Sequence, residues 1–256
     1  MLLIRYLQWE MPEYAHYAIP QDEAGQWQLL RALFNVRPPA PVGGAFQRIE
    51  GALLEAMTAA KWMVDAELLP TSAPDARLVL WQGDITRLRA DAIVNAANSL
   101  MLGCFLPNHN CIGNIEQTMA GMEMRYDCFK LMQAQGHDEP TGSAKITPGH
   151  HLPARFVLHT VGPIVRGPLT QAHRAQLASC YTSCLSLAAE KQLASVAFCC
   201  ISTGVFRFPK ADAARIAVHT VREWLDAHPS SSLRRVVFDV FEEADRQRYA
   251  TLLGIS

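Results

Sequence analysis

The chain has 256 residues, half of them hydrophobic and 18% charged, which fits a globular protein with one sizeable domain or a domain plus an extension. A formal net charge of -1 disfavours a generally basic nucleic-acid binder and leaves room only for a local basic patch. No apolar run reaches the roughly 18–20 residues that cross a bilayer, so no membrane partner is expected. The opening residues 1–10, with Arg5, Gln8 and Glu10, lack the pattern of a secretory signal. Seven cysteines without such a signal read as reduced thiols or metal ligands, and a cytoplasmic location is the expectation.

In chain order, residues 25–36 and 45–67 read as helices. In the second, Phe46, Ile49, Leu53, Met57, Ala60 and Val64 recur at helical spacing. Between them Arg37, Pro38, Pro39, Ala40 and Pro41 form a stretch that a helix does not tolerate. A proline-containing connector at 69–75 divides a helical N-terminal extension, residues 1–72, from a domain at residues 73–256. The extension carries no chemical motif and reads as a structural cap.

Downstream, β-prone runs at 77–81, 92–95, 143–147, 155–161, 195–201 and 235–240 alternate with helical runs at 115–135, 171–191, 210–227 and 243–253. In the third of these helices Ala213, Ile216, Ala217, Val221, Trp224 and Leu225 make one apolar stripe. Such alternation predicts an α/β fold, a sheet covered by helices.

Three local patterns bear chemistry. Cys104, His109 and Cys111 fall within eight consecutive residues, with Pro107, Asn108 and Asn110 favouring a turn that lets them converge. Thiolate and imidazole suit zinc, and three protein ligands leave a fourth position for water or substrate. A loop with two buried cysteines and a capping histidine fits the same spacing. The remaining cysteines, Cys128, Cys180, Cys184, Cys199 and Cys200, read as buried thiols, and His150 with His151 as a surface pair. Asn95, Ala96, Ala97 and Asn98 follow an apolar strand, and an Asn amide can orient a sugar hydroxyl or a water. Ser202, Thr203, Gly204, Val205 and Phe206 lie between a strand and a helix opening after Pro209. Small residues there let backbone N–H groups approach phosphate oxygens, although an ordinary βα turn has the same look.

Taken together, Gln82-Gly83-Asp84-Ile85-Thr86, Asp91 to Asn98, Thr141 to Thr147, His159 to Pro163 and Ser202 to Phe206 resemble, in order, the segments of the macrodomain family. The Cys104–Cys111 stretch and the helical extension resemble its zinc-containing microbial branch, which hydrolyses protein-linked ADP-ribose. The resemblance implies a three-layer α/β/α fold around a mixed sheet, with ADP-ribose in a cleft at the sheet crest. It implies that Asp84 holds the adenine amino group with Gly83 and Ile85 beside it, and that Phe241 stacks on adenine. Residues Ser202 to Phe206 would cradle the diphosphate, and Asn98 would contact the distal ribose. Cys104, His109 and Cys111 would place Zn2+ next to that ribose, where the metal lowers the pKa of a bound hydroxyl or water. The implied partners are ADP-ribose and mono-ADP-ribosylated protein, and nucleic acid is disfavoured by the charge balance.

The chain departs from that branch at two positions: Gly113 stands where an Asp is usual and Gln117 where a His is usual. Glu116 lies beside them with no place in the cleft assigned. Hydrolysis of mono-ADP-ribosylated protein, non-catalytic ADP-ribose reading, and hydrolysis of a small ester such as O-acetyl-ADP-ribose all remain open on these residues.

Overall fold

The computed structural model describes residues 1–71 and 75–255, so part of the expected connector at 69–75 lies outside the described residues. Three helices come first: α1 (Leu2–Glu10), α2 (Glu23–Val36) and α3 (Gly44–Ala60). Asp22 starts α2 by accepting from Gly25 N at 2.8 Å, satisfying one of the unpaired N–H groups of the first turn. These helices gather around Leu3, Ile4, Leu7, Leu30, Leu33, Phe34 and Phe46, an apolar cluster that also takes in Met122.

Two readings of this region need correction. Helix α1 falls on residues to which no element was assigned. Helix α3 ends at Ala60, short of residue 67, because Trp62 adopts φ 60°, a left-handed backbone that breaks the helical ladder. The chain then forms a short strand, β1 (Val64–Asp65), paired with β3 (Leu88–Arg89).

The main sheet has six strands: β2 (Leu78–Gln82), β4 (Ala92–Ala97), β5 (Ala144–Pro148), β6 (Phe156–Val161), β7 (Ser195–Phe198) and β8 (Arg235–Val240). Their order is β2-β8-β7-β4-β6-β5, and every pair is parallel except β5 with β6. Strand β7 stops at Phe198, so Cys199 and Cys200 lie beyond it rather than within the expected 195–201 run. The remaining helices are α4 (Ile112–Ala120), α5 (Met122–Gln135), α6 (Gln171–Glu190), α7 (Lys210–Ala227) and α8 (Glu243–Leu253). The single helix expected over 115–135 is two, because Gly121 at φ 95° and ψ 176° interrupts it. Glycine tolerates that backbone; a side chain there would also press on Glu50 and His151.

Topology fixes the layers. Strand β4 runs through α4 and α5 toward β6, one way across the sheet, whereas β6 runs through α6 to β7, and β7 through α7 to β8, the other way. Right-handed crossovers therefore put α4 and α5 on one face and α6 and α7 on the other. The core between the layers includes the fully buried Leu78, Ile93, Val94, Leu158, Tyr181 and Val237. Strand β4 is covered on both faces, which explains its continuous apolar run. The adjacent strands β4 and β7 send their chains to opposite faces. That makes a switch point, and a crevice opens there at the carboxyl ends of the strands.

Candidate active site

Because β2, β8, β7 and β4 are parallel, the segments after them meet at one end of the sheet. Asp84 follows β2, Phe241 follows β8, the 202–206 loop follows β7, and Asn98 with the cysteine loop follows β4. Residues far apart in sequence thus line the rim of one crevice.

At the β2 end, Gly83 N donates to Val240 O at 3.0 Å, and the Trp81 ring lies so close over Gly83 that a Cβ would overlap it. Asp84 caps the turn formed by Ile85–Arg87: its Oδ1 accepts from Thr86 N at 3.1 Å and from Thr86 Oγ1 at 2.6 Å. Its other oxygen is 3.6 Å from Lys61 Nζ of the extension. Ile85 is buried behind it, while Phe241 is 81% exposed, an aromatic face held outside the core.

In the loop after β7, Ser202 takes φ 65°, and its hydroxyl is buried without a partner among the described residues. Thr203 folds back on Cys200 O, and Arg207 N donates to Gly204 O. Phe206 O accepts from Val165 N at 2.9 Å. The N–H groups of Gly204, Val205 and Phe206 donate to no acceptor among the described residues, and they precede the start of α7. A run of free backbone donors near a helix N-terminus is suited to anionic oxygens.

After β4, Asn98 Nδ2 donates to Gly103 O at 2.7 Å, and its Oδ1 is a buried acceptor with no partner among the described residues. Gly103 has φ 77°, and a Cβ there would come within 2.8 Å of both Asn114 Oδ1 and Gln117 Oε1. The loop then brings Cys104, His109 and Cys111 together with their ligand atoms all within 4.8 Å of one another. Cys104 Sγ is 3.3 Å from His109 Nδ1 and 3.7 Å from Cys111 Sγ. Tetrahedral zinc with Zn–S near 2.3 Å and Zn–N near 2.0 Å implies separations of about 3.8 Å for S···S and about 3.6 Å for S···N. The donor types and spacing therefore fit that ion. Burial and the Cys104 thiol beside it push Cys111 up to about 11, so a cation between these sulfurs would favour the thiolates. His150 and His151 take no part: His150 Nε2 lies 2.9 Å from Asp127 Oδ2, and His151 packs against Gly51. Both are half-buried rather than the expected surface pair.

Sequence reasoning missed Asn114 and gave Asn95 and Glu116 no particular role. Asn114, fully buried on α4, accepts from Cys104 N at 3.1 Å and donates to Leu106 O at 3.2 Å, clamping the loop. Asn95 Nδ2 donates to His159 Nδ1 at 3.0 Å, and burial lowers that imidazole to about 4, so it stays neutral. This pairing leaves Asn95 Oδ1 unpartnered and 3.3 Å from where a Cβ on Gly113 would stand. Glu116 has no exposure, and neither carboxyl oxygen has a partner among the described residues. Burial and the nearby Asp84 hold it well above the usual carboxylate range, and Asp239 is raised for the same reasons. The motif quartet of Asn, Ala, Ala, Asn pointed at Asn95; nothing in the sequence signalled the burial of Glu116.

Known proteins give this arrangement its family. Residues 94–217 match the model of the Macro domain. The chain is 49% identical to a Treponema medium protein named Protein-ADP-ribose hydrolase, covering 99% of this chain and 97% of that one. It is 45% identical to a Staphylococcus aureus protein of the same name, over 90% of this chain and 86% of the relative. Among solved structures, the Trypanosoma brucei macrodomain in complex with ADP-ribose superposes with a TM-score of 0.67 at 32% identity, covering 84% of this chain and 92% of that one. The Oceanobacillus iheyensis macrodomain with ADP gives a TM-score of 0.62 at 34% identity, over 69% and 90% of the two chains. With sheet order, crevice and near-full-length similarity in agreement, the chain belongs to the macrodomain family.

Proposed function

We propose that this protein binds ADP-ribose along the crevice and hydrolyses its bond to a modified protein side chain, with zinc held by Cys104, His109 and Cys111. The observation that carries this reading is the convergence of those three ligand atoms within 4.8 Å, directly after β4 and on the same loop as Asn98 with its unpartnered acceptor. The names of the near-full-length relatives and the ligand of the Trypanosoma brucei structure support it.

Each segment has a role of its own. Asp84 Oδ2 accepts from the adenine amino group, and Phe241 covers the base. The free N–H groups of Gly204, Val205 and Phe206 bind the diphosphate, so that remote binding energy holds the reacting carbon in place. Asn98 Oδ1 accepts from a hydroxyl of the distal ribose. Zinc, when bound, supplies a Lewis acid at that ribose. A non-catalytic reader is the second reading, favoured by Gly113 and by the complete burial of Glu116. No carboxylate occupies position 113, and Glu116 beside it is fully buried and held toward its protonated form by that burial and by Asp84.

Release of ADP-ribose from a mono-ADP-ribosylated protein, followed for the wild type and Cys104→Ala, tests the proposal. Turnover that is lost in Cys104→Ala supports it. Tight ADP-ribose binding with no release by either protein would establish the reader.

A further inference from the structure

The N-terminal extension is tied to the backbone of the metal-type loop. On α2, Arg31 Nη2 donates to His109 O at 3.0 Å and to Asn110 Oδ1 at 2.8 Å. One turn later Asn35, 1% exposed, accepts from Asn108 N through Oδ1 at 3.0 Å. Its Nδ2 donates to Thr118 Oγ1 at 3.0 Å, and that hydroxyl donates to Asn114 O at 2.6 Å. Asn114 is the residue that clamps Cys104 N and Leu106 O. Pro107 meets an apolar hollow lined by Tyr14, Leu29, Leu33 and Val36.

The loop needs such restraint. Phe105 and Asn108 sit at φ 51° and 54°, left-handed backbone that a bulky residue such as Phe105 keeps only where the surroundings enforce it. Both lie between the ligands Cys104 and His109. Asn35 is suited to the task because one amide offers an acceptor to Asn108 and a donor to Thr118 from a dry position. Alanine would leave the Asn108 N–H unpaired and the loop free to leave its strained form. Metal binding would then have to reorder it.

We propose that Asn35 is a positioning residue that presets the Cys104, His109 and Cys111 geometry, which makes the extension a working part of the site rather than a cap. The inference rests on the zinc reading above.

The test measures zinc affinity by competition with a chromophoric chelator for full-length wild type, Asn35→Ala, Asn35→Asp and Arg31→Ala. Thermal unfolding of the zinc-free proteins and ADP affinity are followed in parallel. Outer-shell partners of metal ligands typically govern about 10–100-fold in affinity. Asn35→Ala is expected to lose zinc affinity by about that factor while ADP affinity holds. Asn35→Asp, which keeps the acceptor toward Asn108, is expected to recover part of it. Arg31→Ala, half-buried and outside the core, is expected to weaken zinc as well, and it carries the test should Asn35→Ala fail to fold. A wild type that binds one zinc tightly, with Asn35→Ala and Arg31→Ala equal to it, would overturn this inference and leave the zinc reading intact. A wild type that binds no zinc would overturn both.

Discussion

Gly113→Asp restores a carboxylate to the first turn of α4, and the structure sets what that costs and gains. Gly113 has an ordinary backbone, so substitution there incurs no left-handed strain. Its Cβ would approach Asn95 Oδ1 to 3.3 Å, which asks Asn95 to move by a few tenths of an ångström. Asn95 is anchored to His159 but its Oδ1 bonds to nothing, so no hydrogen bond is broken by that shift. A carboxylate in the first helical turn is attracted by the helix dipole, and because Gly113 is itself buried that attraction is set against the cost of burying the charge. General acid–base assistance contributes about 10²–10⁴-fold to rate, so a correctly placed Asp is expected to speed hydrolysis by about that range over the wild type. Single-turnover release of ADP-ribose from one mono-ADP-ribosylated protein is the assay, with zinc content and ADP-ribose affinity matched, and Gly113→Ala as the steric control. If Gly113→Asp keeps both affinities yet gains no more rate than Gly113→Ala, the missing-carboxylate reasoning is refuted.

Asp84→Ala is expected to weaken ADP-ribose by about 1.5–3 kcal/mol, the worth of a hydrogen bond to a charged group, as read by calorimetry. Glu50 is 1% exposed, and burial raises it from 4.5 to about 7 although Met122 N donates to it. The folded state therefore holds a proton that the unfolded chain gives up, and stability present below pH 4.5 is lost as pH rises to about 7, by about 3 kcal/mol in all. Glu50→Gln keeps an acceptor for Met122 N and is expected to flatten that pH dependence in urea unfolding. Glu116 is raised with the same sign: each pH unit above 4.5 costs about 1.4 kcal/mol while it stays neutral. Glu116→Gln is thus expected to match the wild type at pH 4.5 and exceed it at pH 8, and a variant less stable at pH 8 would contradict the neutral buried acid.

What the sequence made legible was local. The apolar runs that became β4, β6 and β8 were visible because covered strands need continuous apolar residues. The clustering of Cys104, His109 and Cys111 was visible because the ligands share one loop. Boundaries set by a single backbone angle were hidden: Trp62 and Gly121 stop helices whose apolar spacing continues past them. Helix α1 was missed because its few buried residues, Leu3, Ile4 and Leu7, find their partners only in α2 and α3. The contact of Asn35 with Asn108 joins residues 73 apart, and no spacing rule reaches that far. Glu116 sits one helical turn from Ile112 on a short helix, where an acid normally faces water, and only tertiary packing removed it from solvent.

The most direct measurement is a zinc titration of chelator-treated protein, with single-turnover release of ADP-ribose from a mono-ADP-ribosylated protein recorded at each point. The expected result is a rate that rises with added zinc and reaches its plateau at about one equivalent per chain, the stoichiometry of a single three-ligand site. Hydrolysis at full rate in the metal-free protein, with no response to zinc, would contradict the account.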